Sequence, residues 1–392
     1  MPVMILGVYD EKRNKNIYTA EEVKEACMPT PMFLSLLREG YKLKKVHSYH
    51  KYRIRDSLFR PLVMKLFIKK TVNSGPRPEN FDELVELYRK NFDDEFADEL
   101  ADSGEWTLNP AMKHVYKILL NSGWGKHAQR PRLTKNIVYD EANADHHKEL
   151  NLLYSNCEKG KQTVTGIENV AKGVRSFNYE NSDLTDPDLH DTYLAAAAYV
   201  PLFGQLQLWE IMNKIEKGGD GSRRIVYCDT DSIIYKWYPE EFGYYNVPEN
   251  EALLGGWTVE GKDIVEVVAL QPKTYCYKFA NGTCSPVKTK GIRMGYRLSD
   301  IVNFDIMKQK VLRQMELIAE GDGKKVGKLS VPQESFAQVK NNIVNHKHIK
   351  KFGIDIDDMK GVMLANGDLM PFGYDEAPEQ EMVLSSWAGY RF

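Results

Sequence analysis

The sequence predicts a mixed α/β (α+β) fold in which helices and short strands share the core. Apolar residues recur at helical spacing through 57–72, 79–100, 110–126 and 191–219. Two β-branched runs, Ile225-Val226 and Ile233-Ile234, flank a polar tight turn and predict a β-hairpin. At 392 residues, with 42% apolar and 28% charged side chains, the chain has the composition of a soluble globular protein of two or three domains.

The formal net charge is −2, so no global basic excess advertises a nucleic-acid partner, and any such partner must be held by local patches. The five cysteines lie far apart, with no CxxC or zinc-like spacing, which favours free thiols in an intracellular, reducing compartment. MPVMILGVYDEKRNK is not a secretory signal, and no apolar run of about 18 residues predicts a membrane span.

Taken in order, residues 41–70 are strongly basic, with Asp56 the single carboxylate. KKVHSYHKYRI, alternating Val46, Tyr49 and Tyr52 with basic residues, predicts a strand, and SLFRPLVMKLFIKKTV predicts an amphipathic helix. NSGPRP breaks the chain, and ENFDELVELYRKNFDDEFADEL resumes as one acidic helix with a solvated charged face. Asn109-Pro110 is a cap and first-turn proline for a helix over NPAMKHVYKILLNSGWGK. Residues 127–192, polar and rich in turn formers, have the character of an insertion. DTYLAAAAYVPLFGQLQLWEIMNKIEKGG predicts a helix kinked at Pro201 and ended by Gly218-Gly219. The RRIVYCDTDSIIYKWY hairpin follows, and the last hundred residues mix the helix LSDIVNFDIMKQKVLRQMELIAE with short strands.

The strongest chemical signal is Tyr227-Cys228-Asp229-Thr230-Asp231-Ser232. Two aspartates one residue apart at a hairpin turn can serve one cation site, and hard carboxylate oxygens suit Mg²⁺. A lone Asp-x-Asp is also used by metal-dependent glycosyltransferases, so the signal lies in the whole string within its apolar hairpin. Lys117, Asn121 and Trp124 fall at i, i+4 and i+7, on one helix face. A triphosphate along that face would meet a cation, an amide and an aromatic floor. The plainer reading is a packing helix whose lysines snorkel to solvent.

Tyr227 to Ser232 resembles the third polymerase motif of family B DNA polymerases, Tyr-x-Asp-Thr-Asp-Ser. Lys117 to Lys126, KILLNSGWGK, resembles the second motif, Lys-x-x-x-Asn-Ser-x-Tyr-Gly. Trp124 in place of tyrosine is similar to the Polinton (Maverick) transposon branch and its viral relatives, which are protein-primed. Gln271-Pro272-Lys273-Thr274-Tyr275 resembles the Lys-x-Tyr element that holds the primer end, and Lys288-Thr289-Lys290-Gly291 the Lys-x-Lys-Gly segment after it. Leu254-Gly255-Gly256-Trp257 is similar to the Gly-Trp turn that precedes them. Lys69, or Lys70 one register on, aligns with a triphosphate-binding lysine, and Gln205 stands where the transposon branch carries arginine.

The resemblance implies template-directed DNA synthesis by a two-metal Mg²⁺ site. Asp229 and Asp231 would be catalytic metal ligands, and Lys117, Asn121, Trp124 and Lys69 would bind the nucleotide. Tyr227, Thr230, Ser232, Lys273, Tyr275 and Lys290 would face primer-template DNA. It implies a partial palm over 1–65, fingers over 66–126 and an inserted subdomain contacting terminal protein and duplex over 127–192. A palm with the catalytic hairpin would cover 193–296 and a thumb 297–392, with no exonuclease domain. The family's first motif, Asp-x-x-Ser-Leu-Tyr-Pro, is missing. Asp56-Ser57-Leu58-Phe59-Arg60-Pro61 is rejected as its equivalent, since the aspartate abuts the serine and an arginine splits the aromatic from the proline. The expectation is therefore an amino-terminal partner chain carrying the third carboxylate, a truncated product, or an inactive DNA-binding remnant.

Overall fold

The computed structural model describes residues 7–10, 15–18, 25–51, 59–128, 134–182, 193–218, 224–239, 243–249, 253–294, 298–321, 325–339, 342–354, 361–365 and 369–371. Strands β1 (Gly7–Asp10) and β2 (Lys15–Tyr18) form an antiparallel ribbon, followed by α1 (Thr30–Arg38). Four helices come next: α2 (Arg60–Val72), α3 (Phe81–Asn91), α4 (Asp94–Ala101) and α5 (Pro110–Lys126). Then β3 (Lys135–Asp140), α6 (Ala144–Glu158), β4 (Gln162–Ala171) and β5 (Val174–Asn181) build a sheet of order β3-β5-β4 with one helix against it. Helix α7 (Leu194–Lys217) leads to the hairpins β6 (Ile225–Asp229) with β7 (Ser232–Tyr235) and β8 (Ile264–Gln271) with β9 (Thr274–Phe279). The rest is α8 (Phe304–Ala319), a long hairpin of β10 (Leu329–Val339) and β11 (Asn342–Phe352), and the short pair β12 (Val362–Met363) and β13 (Leu369–Met370). All these pairings are antiparallel, so the architecture is α+β.

Three separate cores hold these elements. Met64, Phe67, Ile68 and Val72 of α2 meet Phe81, Val85 and Tyr88 of α3 and Phe96, Ala97 and Leu100 of α4. A second core joins Val268, Leu270 and Cys276 of β8–β9 to Phe304 and Met307 of α8 and Val331 and Phe352 of β10–β11. The third is small, with Met32 and Leu36 of α1 on Leu202 of α7. Burying each such side chain contributes about 1.5–3 kcal/mol, so each core stands largely on its own.

Several expectations need correction. Residues 42–51 form no strand, and Tyr49 and Val46 are 82% and 58% exposed. A two-residue alternation makes a strand only where a neighbour pairs its backbone and a core takes one face, and here neither is found among the described residues. Residues 52–58, with Asp56, lie outside the described residues. The acidic segment is two helices, because the Asp93 side chain accepts the Phe96 N–H and caps a new start. Its charged face is also cross-braced: Arg89 reaches Asp94 at 2.9 Å and Asp98 at 3.0 Å, and Arg60 pairs with Asp93. Helix α6 is an element that the insertion's polar composition did not signal, and the helix before it starts as expected, with Asn109 Oδ1 capping Met112 N–H at 3.1 Å. Helix α7 runs through Pro201 to Gly218, whose φ of −81° is not left-handed. Glycine is required at 218 by a close approach instead: a Cβ there would lie 2.7 Å from the Tyr245 backbone nitrogen.

Candidate catalytic and nucleic-acid site

Two hairpin tips meet to form the site. In β6–β7, Asp229 pairs with Ser232 across the two-residue turn Thr230-Asp231. Thr230 takes a φ of +52°, a left-handed conformation that a β-branched residue adopts at a cost of about 1–3 kcal/mol. Its Oγ1 donates to Asp229 Oδ1 at 3.0 Å, the Asp231 N–H donates to the Asp229 carbonyl at 2.6 Å, and Ser232 Oγ donates to the same carbonyl at 3.0 Å. The turn is thus wound around Asp229, while Asp231 is exposed.

The second tip is Pro272-Lys273, between the paired residues Gln271 and Thr274. Lys273 lies in this turn, directly before β9, which carries Tyr275. Its φ of +61° follows a proline, the position where tight turns ordinarily place glycine or asparagine. Two contacts hold it there. Its N–H donates to Tyr227 Oη at 2.7 Å, and its ammonium lies 2.8 Å from both oxygens of Asp229. The Tyr227 and Tyr275 rings pack 4.8 Å apart beneath the pair, and burial pushes both phenols above their ordinary value, so they act as neutral packing surfaces. Tyr275 also exchanges backbone hydrogen bonds with Lys288, and the Lys290 N–H donates to Thr274 Oγ1 at 3.3 Å. Asp229, Tyr227, Thr230, Ser232, Lys273, Tyr275 and the Lys290 backbone therefore share one locality.

The residues expected to face a nucleotide lie on the helices. Lys117 and Asn121 are exposed on α5 and Trp124 is 37% exposed. Lys69 is exposed on α2, while Lys70 is half-buried, and burial and then the charges of Lys113 and Lys117 lower its pKa. Lys70 thus lies close enough to Lys113 and Lys117 of α5 to feel their charge, while Lys69 is exposed one residue before it. Met112, Val115 and Leu119 form the opposite stripe of α5, from 38% to 47% exposed. Helix α7 packs on both α5 and the β6–β7 hairpin, and so links the helical group to the aspartates.

Two further features support the site, and the first carried no motif. Arg224, directly before β6, is fully buried. Its guanidinium donates to the Lys236 carbonyl at 2.7 and 3.0 Å, the Tyr245 carbonyl at 2.7 Å and Asn246 Oδ1 at 2.6 Å. The rings of Tyr235, Tyr238 and Tyr244 surround it at 5.0–5.5 Å. The tyrosine-rich stretch downstream of the aspartates was its available signal. The Leu254-Gly255 turn is a bridge: Tyr88 Oη of α3 accepts the Leu254 N–H at 3.1 Å, and Gln207 Nε2 of α7 donates to the Gly255 carbonyl at 2.9 Å. Gly255, at φ +80°, permits that turn.

The donor set suits one hard cation in part. Asp229 already draws a positive group onto both oxygens, and Asp231 adds a second carboxylate at the turn. Among the described residues no cluster of three or more His, Cys, Asp or Glu side chains is arranged to hold a metal ion. The remaining ligands of Mg²⁺ would be water, phosphate and polypeptide outside this cluster. Among the described residues no helix is long and apolar enough to cross a membrane, and all five cysteines are free. No protein-family model matches the chain, and no curated protein or solved structure matches it.

Proposed function

We propose that the chain is the palm, fingers and thumb portion of a protein-primed family B DNA polymerase, acting on primer-template DNA and deoxynucleoside triphosphates. The observation that carries this reading is the meeting of the Asp229-Thr230-Asp231 turn with the Lys273–Tyr275 turn, two segments far apart in sequence. Bound Mg²⁺ would polarise the reacting phosphate and lower the pKa of the primer hydroxyl. Asp229 and Asp231 would hold it, Lys70, Lys113 and Lys117 would neutralise the triphosphate, and Trp124 would stack on the base or sugar. Tyr227 and Tyr275 would support the primer end while Lys273 contacts its phosphate. In-line transfer uses two cations about 3.5–4 Å apart, more charge than two carboxylates offset, so a third carboxylate would come from polypeptide beyond these residues, in this reading an amino-terminal chain. A terminal protein is the primer this reading assigns.

The Lys273 ammonium on Asp229 favours a second reading, a remnant that holds DNA without extending it. Primer extension with Mg²⁺ separates the two, using the chain alone and then with a polypeptide carrying the first motif. Synthesis that appears on mixing and falls at least a hundredfold in Asp231→Asn supports the polymerase. Duplex binding without synthesis in either mixture supports the remnant.

A further inference from the structure

The contact between the two hairpin tips has a consequence beyond primer binding. A side chain meant only for DNA phosphate would gain most by reaching into solvent, yet the Lys273 ammonium turns back and sits 2.8 Å from each oxygen of Asp229. The pair is not a stability device. The Lys273 side chain is 56% exposed and that of Asp229 28%, a setting in which ion pairs contribute little. Lys273 holds a left-handed φ of +61° to make the contact, a conformation costly for any residue with a side chain. The Tyr227 hydroxyl fixes the Lys273 backbone, and the Thr230 hydroxyl fixes one Asp229 oxygen, so both halves of the pair are aimed.

We propose that Lys273 is a latch: in the free chain its ammonium occupies the cation position on Asp229, and a nucleic-acid phosphate that draws the ammonium away opens that carboxylate to a divalent cation. The proposal rests on the reading of Asp229 as a metal ligand. It makes duplex and metal bind cooperatively, because each removes what opposes the other, and the coupling is reciprocal. Metal would then be retained only where a primer is present.

Mn²⁺ binding tests this without any activity. Free Mn²⁺ is followed by electron paramagnetic resonance for the full chain, Lys273→Gln, Lys273→Arg and Asp229→Asn, each checked by circular dichroism. Lys273→Gln binds Mn²⁺ about tenfold more tightly than the unmodified chain, and Lys273→Arg stays near it. A primer-template duplex tightens Mn²⁺ binding in the unmodified chain and much less in Lys273→Gln, with Asp229→Asn giving the background of metal held by the DNA itself. Equal affinities in the unmodified chain and Lys273→Gln, with binding still lost in Asp229→Asn, overturn the latch and leave the metal site standing. Tightening in Lys273→Arg equal to that in Lys273→Gln overturns it too. Binding that is the same in Asp229→Asn as in every other form overturns the metal site and the latch together.

Discussion

Replacing Arg224 with methionine tests what anchors the aspartate hairpin. The guanidinium is fully buried, and its partners are the Lys236 and Tyr245 carbonyls, the Asn246 amide oxygen and, at 3.4 Å, the Ile215 carbonyl. Methionine fills a similar stem volume but donates nothing, so each stranded carbonyl costs about 1–3 kcal/mol. The three tyrosine rings around the cation add about 2 kcal/mol in a desolvated setting, which is also lost. Against this, methionine avoids burying a charge whose partners are dipoles, a relief of several kcal/mol. The balance is a loss of about 3 kcal/mol. Lysine keeps the charge but cannot reach all of these acceptors at once, and it loses about 2 kcal/mol. Urea unfolding followed by tryptophan fluorescence measures both, with Trp237, 65% exposed beside Lys236, as a local reporter. A loss below about 1 kcal/mol in Arg224→Met refutes the reasoning, because the acceptors would then have found other donors.

Lys70→Met separates fold from function. Between the lowered pKa of Lys70 and its ordinary 10.5 the unfolded chain binds the proton more tightly, so the charged ammonium subtracts stability at neutral pH and the penalty fades as pH rises through the folded value. The substitution therefore raises unfolding free energy by about 0.5 kcal/mol while weakening triphosphate binding about tenfold by fluorescence titration. In the unmodified chain that affinity falls as pH rises through the lowered pKa of Lys70, before the ordinary 10.5 is reached, and Lys70→Met lacks this step. Gly218→Ala lowers stability by about 1–3 kcal/mol in thermal unfolding, since its Cβ would press on Tyr245, whose carbonyl Arg224 holds. Its effect and that of Arg224→Met add up to less than their sum.

The legible parts of this fold are those where local chemistry decides. Asn109-Pro110 starts α5 because cap and first-turn proline need no partner, and Ile225 to Ile234 form a hairpin because both strands lie in the string itself. The expected strand failed over residues 44–51 for the opposite reason: alternation describes a face, and a face needs a surface to cover it. The break at Asp93 was visible only as an aspartate three residues before Phe96, which a continuous acidic pattern hides. At the site, residue types and order pointed to Asp229, Lys273 and Tyr275, but not to the ammonium resting on the carboxylate. Spacing fixes which side chains share a locality, and pairing within it depends on backbone conformation, here the positive φ at Lys273 and Thr230. The choice between Lys69 and Lys70 was not legible in the sequence, because it depends on how α2 packs, which half-buries Lys70 near Lys113 and Lys117.

The three cores also bear on how the site works. Helix α5, with Lys117, rests on the α2–α4 core through Leu120, and the Lys273 turn belongs to the core shared by β8–β9, α8 and β10–β11. The aspartates sit between them on β6–β7, which leans on α7. Within a core, separating two elements exposes several apolar side chains at about 1.5–3 kcal/mol each. Across the boundary, the Tyr88–Leu254 and Gln207–Gly255 hydrogen bonds return only about 1 kcal/mol net apiece. Helix α7, packed on both α5 and the β6–β7 hairpin, carries more of the link between the helical group and the aspartates than these two hydrogen bonds do.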